Sequence, residues 1–164
     1  MPLRFAQAAD LPRIVAIYNA AIPGRMATAD TEPVTVAMRD AWFREFDPAR
    51  RPLWVQTDDT DTAVGWLSLR SFYGRPAYAG TVEVAVYTAP ERQRGGVARA
   101  LLRQALVAAP GLAIQTLLAF VFAHNDPSLA LFRGHGFDAW GLLPRVALLD
   151  GVERDLVILG RSTR

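Results

Sequence analysis

The sequence predicts an α+β fold in which helices cover both faces of a mixed, mostly antiparallel central sheet. Two apolar runs, 53–57 and 62–70, flank the acidic turn Asp-Asp-Thr-Asp, a pattern typical of an antiparallel hairpin. A strand–helix–strand pattern follows over 81–123, and a second hairpin is centred on Asp150–Gly151. Antiparallel pairs on both sides of a single crossover favour one mixed sheet over a doubly wound one.

Capping residues and apolar spacing predict the elements of the first part of the chain. A short strand at 3–7 precedes Asp10, which is placed to cap a helix that has a proline in its first turn, where a missing N–H costs nothing. Apolar residues then recur at helical spacing until Pro23–Gly24 ends this helix. Thr35 is the predicted cap of a second helix, which reaches about Phe46.

The rest of the chain alternates strands and helices. After an irregular segment at 71–80, a strand at 81–88 leads into a helix at 96–109, which Pro110–Gly111 stops. The remaining predicted elements are a strand at 115–123, a short helix at 127–134 and a two-stranded tail at 137–159. No repeat or Pro/Ser-rich linker divides the chain, so we expect a single domain over 1–164.

The composition is that of an ordinary globular protein and excludes several classes of function. Apolar residues make up 51% of the chain, charged residues 21%, and the net charge of only +2 gives no indication of nucleic-acid binding. The absence of cysteine excludes disulfides, thiolate metal sites and a cysteine nucleophile. The sequence shows neither a signal-peptide h-region nor a run of roughly 20 apolar residues, so we expect a cytoplasmic protein without a membrane partner.

An arginine- and glycine-rich turn joins the predicted strand at 81–88 to the following helix. Arg92, Arg94, Gly95 and Gly96 lie at a helix start, where backbone N–H groups lack internal partners and the helix dipole is positive. Glycines let an anion approach that backbone closely and arginines add forked donors, so the turn fits a pyrophosphate. A solvated turn with capping glycines fits the same residues. A P-loop is excluded because the chain contains no lysine.

This turn and its surroundings resemble the GNAT acetyltransferases. Residues 93–98 (QRGGVA) are similar to the Gln/Arg-x-x-Gly-x-Gly/Ala signature that holds the pyrophosphate of acetyl-CoA, and HNDPSLALFRGHGF is similar to the later motif of that superfamily. The segments RPAYAGTVEVAVYTAPERQRGG, NDPS, IYNAAI and TEP resemble its phosphinothricin and methionine sulfoximine/sulfone branch. The resemblance covers nearly the whole chain. It implies the acyl-CoA N-acyltransferase fold, acetyl-CoA as co-substrate without a metal, and a small amino-acid-like amine as acceptor.

The resemblance also implies which residues contact acetyl-CoA. In this family the strand before the turn splays from its neighbour, which frees backbone groups for the pantetheine arm and the thioester. The implied contacts are the backbones of Val86, Tyr87 and Thr88, the turn residues Arg94, Gly95, Gly96, Val97, Ala98 and Arg99, and Asn125 and Ser128 beside the arm. We also expect a homodimer.

Glu83 is the candidate general base. An amine must be neutral to attack a thioester, and because a free amine is mostly protonated at pH 7, a nearby group has to take its proton. Val82, Val84 and Val86 point to one side of the predicted strand, and Glu83 points to the other. This pattern alone favours a solvated glutamate, whereas the family resemblance places the proposed base at this position. Burial there should raise the pKa of the carboxyl.

Acceptor recognition is predicted in the loop before that strand. Arg75, held extended by the following proline, could bind a carboxylate or phosphinate through two parallel bonds, with Phe72 and Tyr78 beside it. Glu32 could receive the substrate ammonium or contact a partner subunit. A solvated Arg75 fits the pattern as well, and the branch resemblance favours the acceptor role. The expected acceptors are α-amino acids with a tetrahedral polar side chain, such as methionine sulfone, methionine sulfoximine or phosphinothricin.

One position departs from the family. Many members have a Tyr near the start of the later helix that protonates the departing thiolate, and this branch tends to have His, but this chain has Phe132. His124 or His135 could replace it, and a CoA thiolate leaves well enough to need no acid. Two other functions stay open: the same chemistry on a polyamine, an aminoglycoside or a protein N-terminus, and a non-catalytic acyl-CoA-binding domain.

Overall fold

Seven strands form one sheet in the order β1-β2-β3-β4-β5-β7-β6 in the computed structural model, which describes all 164 residues. The strands are β1 (Leu3–Phe5), β2 (Leu53–Thr57), β3 (Ala63–Ser71), β4 (Thr81–Thr88), β5 (Thr116–Phe122), β6 (Asp138–Leu149) and β7 (Val152–Ser162). The helices are α1 (Leu11–Ala21), α2 (Val36–Arg44), α3 (Val97–Ala108) and α4 (Asp126–Arg133). Every predicted helix and strand is therefore present, with ends that differ from the prediction by a few residues.

All neighbouring strands pair antiparallel except β4 and β5, which are parallel and are connected by α3. A parallel pair needs such a crossover, whereas the β2–β3 and β6–β7 pairs close through short turns. The predicted α+β class with a mixed, mostly antiparallel sheet is confirmed. None of the four helices combines the length and the apolar character that a membrane span would need.

Each face of the sheet packs against its own pair of helices. Alternate residues of β3 show the division, because Trp66 packs with Ile14 and Ile17 of α1 while Leu67 packs with Leu101 of α3. The ring of Trp42 on α2 lies edge-on to Trp66, with 5.5 Å between ring centroids. The buried side chains thus form two cores, one between the sheet and α1 and α2 and the other between the sheet and α3 and α4.

One predicted helix cap in the first part of the chain is present and the other is wrong. Thr35 Oγ1 accepts a hydrogen bond from the Met38 N–H of α2 at 3.1 Å, as its sequence position predicted. Asp10 does not cap α1, because a short 3₁₀ turn at Ala8–Asp10 runs directly into that helix. The Asp10 carboxylate instead accepts from the Gln7 N–H at 2.7 Å and pairs with Arg4 at 2.8 Å.

Candidate active site

The sheet opens between β4 and β5. Residues 82–88 of β4 pair with β3, but only residues 81–83 pair with β5, opposite its residues 116–118. Beyond this point the side of β4 that faces β5 has no strand partner. The predicted splaying of the strand before the glycine-rich turn is therefore observed, and it leaves backbone N–H and C=O groups free to bond a ligand.

A cavity of about 460 Å³ fills this opening. Its walls are residues 83–87 of β4, 120–122 of β5, Met26, Ala27, Thr28 and Ala29 of the loop after α1, Asn125, Ser128 and Phe132 at α4, and Val146, Ala147 and Leu156 of the terminal hairpin. The lining is mostly apolar, and Glu83 and Tyr87 are its only titratable side chains. A carboxylate in such surroundings is poorly solvated, which suits a proton acceptor.

The two ends of the cavity lie on opposite faces of the sheet. Val84 belongs to the core under α3 and α4, and Val86 packs against it, so these residues mark the face on which α3 begins. Tyr87 packs against the core under α1 and α2, which places Glu83 on that second face because side chains alternate along a strand. A ligand bound at the start of α3 can therefore reach Glu83 only through the opening in the sheet.

Glu83 combines partial burial with one nearby positive charge. Burial raises the pKa of the Glu83 carboxyl, and the positive charge of Arg70 opposes this rise. Arg70 lies directly across from Glu83 in the β3–β4 pair, and its guanidinium bonds the Glu45 carboxylate at 3.0 Å. Because burial is the larger of the two causes, the net shift of the Glu83 pKa is upward, which is the direction that favours a general base.

The start of α3 is built to receive an anion. Gly96 caps this helix with φ +84°, and Arg94 before it has φ +62°, so the turn adopts the left-handed backbone that glycine tolerates best. The backbone N–H groups of residues 97–99 have no acceptor within the chain. Arg94 and Arg99 are exposed and take part in no ion pair. The predicted pyrophosphate turn thus presents free donors and uncompensated positive charge.

Arg13 of α1 supports this turn from the side, a contact that the sequence did not predict. Its Nε donates to the Ala63 carbonyl at 2.9 Å, and its guanidinium pairs with Glu91. A backbone hydrogen bond lowers the pKa of the Glu91 carboxyl, and the bond with Arg13 lowers it further. Glu91 and Arg13 lie far apart in the chain, and only the fold brings them together.

The four predicted acceptor residues lie outside the cavity. Phe72 and Tyr78 pack edge-on, with 5.5 Å between ring centroids, in the exposed segment that leads into β4. Arg75 in the same segment is exposed and has no ion-pair partner, and Glu32 is likewise exposed. Arg51 holds the segment through a bond from its Nη2 to the Ala79 carbonyl at 2.7 Å. The segment ends three positions before Glu83 in the chain, and none of the four side chains contributes to the cavity wall.

The residues considered as proton donors to the leaving group have other partners. His124 Nε2 donates to the Arg25 carbonyl at 2.8 Å, and His135 Nδ1 donates to the Leu131 carbonyl at 2.8 Å. Neither imidazole lines the cavity, whereas the buried ring of Phe132 does. Tyr87 lines it too, but its hydroxyl donates to the Ala27 carbonyl at 3.1 Å, and burial raises its pKa. The cavity thus contains no free acidic side chain suited to protonating a thiolate.

Sequence reasoning missed much of the cavity wall. Residues 26–29 carry no charged group, and nothing in their order marks them as part of a site. In the sequence Phe120 and Phe122 look like ordinary strand residues. They line the cavity because β4 and β5 no longer pair at this level. The alternation of β5 was the available signal, because it places these two rings on the Glu83 side of the sheet.

Comparison with known proteins agrees with this fold. The model of the family described as "Acetyltransferase (GNAT) family" matches residues 14–137. The chain is 50% identical over 162 residues to YwnH of Bacillus subtilis (strain 168), a provisionally assigned phosphinothricin acetyltransferase, with 99% of each chain covered. It is 31% identical over 157 residues to the L-methionine sulfoximine/L-methionine sulfone acetyltransferase of Pseudomonas paraeruginosa, covering 96% of this chain and 91% of that one.

A solved structure shows the same architecture with a ligand bound. It is a GNAT superfamily phosphinothricin acetyltransferase (Pat) from Sinorhizobium meliloti in complex with AcCoA, with a TM-score of 0.92 and 28% identity. The match covers 98% of this chain and 87% of that one. No group of three or more potential metal ligands occurs in the present structure.

Proposed function

Because this chain belongs to the acetyltransferase (GNAT) family, we propose that it moves the acetyl group of acetyl-CoA to the amine of an amino-acid-like acceptor of the phosphinothricin or methionine sulfone/sulfoximine type. The fold, the family and the resemblance to this branch, all predicted from the sequence, are confirmed. The observation that carries the proposal is the opening between β4 and β5, which has free helix donors at one end and a single carboxylate, Glu83, at the other.

Acetyl-CoA fits the α3 side of this opening. The free N–H groups at the start of α3, with Arg94 and Arg99 beside them, would hold the pyrophosphate. The unpaired backbone of Val86, Tyr87 and Thr88 would bond the pantetheine arm as a neighbouring strand would. Ser128 lines the opening from α4 and would lie along the same arm.

Glu83 is proposed as the general base, acting directly or through a water molecule. It would accept a proton from the acceptor ammonium, and the neutral nitrogen would then attack the thioester carbonyl. A C–N bond forms, the C–S bond breaks, CoA leaves as its thiolate, and the second proton of the attacking nitrogen passes to solvent. Unpaired N–H groups of β4 would stabilise the oxyanion that forms in between. Since Phe132 cannot donate a proton and no other side chain of the cavity is free to do so, the thiolate is proposed to leave without a dedicated acid.

The charges around the cavity support an amino-acid acceptor over a polyamine or an aminoglycoside. A polycationic acceptor is best bound by several carboxylates, and the cavity contains only Glu83. Arg75 is exposed and has no ion-pair partner, so its guanidinium would be free to take the acceptor carboxylate or phosphinate. Phe72 and Tyr78 would form the apolar wall beside it, and Glu32 would receive part of the acceptor's positive charge.

Release of free thiol from acetyl-CoA with a panel of amines tests this function. Free amino acids with a sulfone, sulfoximine or phosphinate group should react best, and their esters or decarboxylated analogues poorly. Arg75→Ala should raise KM for the free acids roughly tenfold, as expected for losing a charge-assisted bond, and leave KM for acetyl-CoA unchanged. Reaction with only polyamines or peptides would contradict the acceptor class, and acetyl-CoA binding without turnover would point to a non-catalytic binding domain.

A homodimer is also proposed, because the edge strand β6 exposes a row of apolar side chains. These are Trp140, Leu142, Leu143, Val146 and Leu148, with exposed fractions between 40% and 66%. The free edge of an antiparallel strand can pair with the same edge of a second copy, which buries such a row on both copies at once. Sedimentation analysis should find a dimer that Leu148→Arg dissociates. A monomeric wild-type protein would contradict this, and cell fractionation would check the predicted cytoplasmic location.

A further inference from the structure

Residues 25–28, called here the bridging segment, are held by their backbone in an unusual way. Three successive carbonyl groups each accept a hydrogen bond from a side chain elsewhere in the fold. The bonds run from His124 Nε2 to Arg25 O at 2.8 Å, from Asn125 Nδ2 to Met26 O at 3.0 Å, and from Tyr87 Oη to Ala27 O at 3.1 Å. Thr28 Oγ1 adds a fourth contact, with the Tyr18 hydroxyl at 2.6 Å. A loop without regular structure is thereby fixed at each of its residues.

The donors of these bonds come from both sides of the opening in the sheet. Tyr87 is on β4, whereas His124 and Asn125 lie in the turn that follows β5. The bridging segment therefore connects the two strands at the level where they no longer pair with each other. It lies on the same face as Glu83, since Tyr87 and Glu83 alternate with the valines that face α3.

Asn125 makes two side-chain hydrogen bonds inside the protein. Its Oδ1 accepts from the Ser128 N–H at 3.2 Å and caps α4, while its Nδ2 donates to the bridging segment. The residue is 7% exposed. An asparagine amide has one carbonyl and two N–H donors, so its carbonyl and one donor are already engaged inside the protein. The sequence resemblance placed Asn125 beside the pantetheine arm, and these bonds leave one amide N–H of the residue without a partner inside the protein.

We propose that Asn125, His124 and the Tyr87 hydroxyl are positioning residues for the acceptor, which act by holding the bridging segment in place through these three bonds. The inference rests on the function proposed above, in which the amine approaches from the Glu83 face. Residues 26–29 form the cavity wall on that face, so their position sets the width of the space left for the acceptor. Loosening the segment should weaken acceptor binding and leave acetyl-CoA binding on the other face intact.

Asn125→Asp provides the sharpest test, because it separates the two bonds of this side chain. The aspartate keeps an oxygen that can cap α4, and it places a second oxygen against the Met26 carbonyl where the amide donated a proton. KM for the acceptor should rise about tenfold, while KM and the calorimetric Kd for acetyl-CoA should stay within about twofold. Amide hydrogen exchange of residues 26–29 should become faster in the same variant.

His124 offers a matched pair of variants for the same test. His124→Gln keeps an N–H donor near the Arg25 carbonyl and should retain a near-normal acceptor KM. His124→Phe keeps the ring stacked on Phe122 but removes the donor, so it should raise the acceptor KM as Asn125→Asp does. Equal kinetics in these two variants would overturn the role of the hydrogen bond.

The outcomes separate this inference from the proposed function. A rise in KM for acetyl-CoA in Asn125→Asp, with an unchanged acceptor KM, would assign the residue to the cofactor and overturn the inference. Unchanged hydrogen exchange over residues 26–29 would overturn the claim that these bonds hold the segment. A wild-type protein that acetylates no amine would refute the proposed function, and hydrogen exchange would still decide whether the segment is held.

Discussion

Replacing Glu83 by Gln keeps the size of the side chain and removes its ability to accept a proton. No other carboxylate lines the cavity, so no neighbouring group can substitute for it. General-base catalysis contributes roughly 10²–10⁴-fold, or about 3–5 kcal/mol of activation free energy, and the loss at pH 7 should fall in that range. Binding of acetyl-CoA should be unchanged, because its proposed site at the start of α3 lies on the other face of the sheet.

The pH dependence gives a second measure of the same change. Burial raises the pKa of Glu83. As the pH is lowered, wild-type kcat/KM should therefore begin to fall at a higher pH than it would with a glutamate of ordinary pKa. In Glu83→Gln only the neutral fraction of the amine reacts, and this fraction grows about tenfold per pH unit below the pKa of the amine. The gap between variant and wild type should therefore narrow as the pH rises.

Stability should change in the opposite direction to activity. A carboxyl whose pKa is raised by folding binds its proton more tightly in the folded state. The free energy of unfolding therefore decreases as the pH rises from the pKa of the unfolded state to that of the folded state. At pH 7 the neutral Gln variant should unfold at the same temperature as wild type or higher. A marked drop in Tm would show that Glu83 serves the fold.

The assay is thiol release under saturating acetyl-CoA from pH 5.5 to 9.5, with Glu153→Gln as control. Glu153 is exposed on β7 and does not line the cavity, so this variant removes the same charge from a surface position and should behave as wild type. Wild-type turnover by Glu83→Gln at pH 7 would refute the assignment of the base. A constant ratio of the two rates across the pH range would refute the role of proton transfer.

Three further changes follow from the site and its supports. Arg70→Gln removes the charge that lowers the pKa of Glu83, so the acid limb of the kcat/KM profile should move to higher pH. A shift to lower pH would contradict this electrostatic effect of Arg70 on Glu83. Gly65→Ala should destabilise the fold by about 1–3 kcal/mol in urea titrations, because the added methyl overlaps the Val97 side chain at the start of α3, and a neutral effect would show that α3 can shift. In Gly96→Val the new side chain meets open space, but a branched residue is forced to φ +84°. Calorimetry should therefore show weaker acetyl-CoA binding together with a lower Tm, and unchanged binding would contradict the pyrophosphate assignment.

Elements with local signals could be predicted from the sequence. Thr35 and Asn125 cap their helices through bonds to residues three positions ahead, so the information is contained in a few neighbouring residues. The alternation of valines around Glu83 likewise predicts the face of the strand on which this carboxylate lies. Asp10 shows the limit of such signals, because the same carboxylate can serve Arg4 and a 3₁₀ turn instead of a helix.

Contacts between distant parts of the chain could not be predicted. The bonds of His124 and Asn125 reach a loop 99 positions away, and no periodicity or capping rule relates them. Arg13 and Glu91 are separated by 78 positions and meet only because α1 packs beside the turn before α3. The resemblance pointed to the proposed base and the proposed cofactor turn, whereas the wall formed by residues 26–29 depends on this long-range packing.

Strand pairing joins the four-stranded half of the sheet, β1 to β4, to the three-stranded half, β5 to β7, at only three residue pairs. A pantetheine arm in the gap would supply the hydrogen bonds of the missing strand positions, so the donor completes the architecture as well as entering the reaction. A ligand that binds only the folded state adds about 2.7 kcal/mol of stability at a concentration of about a hundred times Kd. The cellular lifetime of this protein would therefore follow the supply of acetyl-CoA, with turnover by proteases fastest when the acetyl donor is scarce.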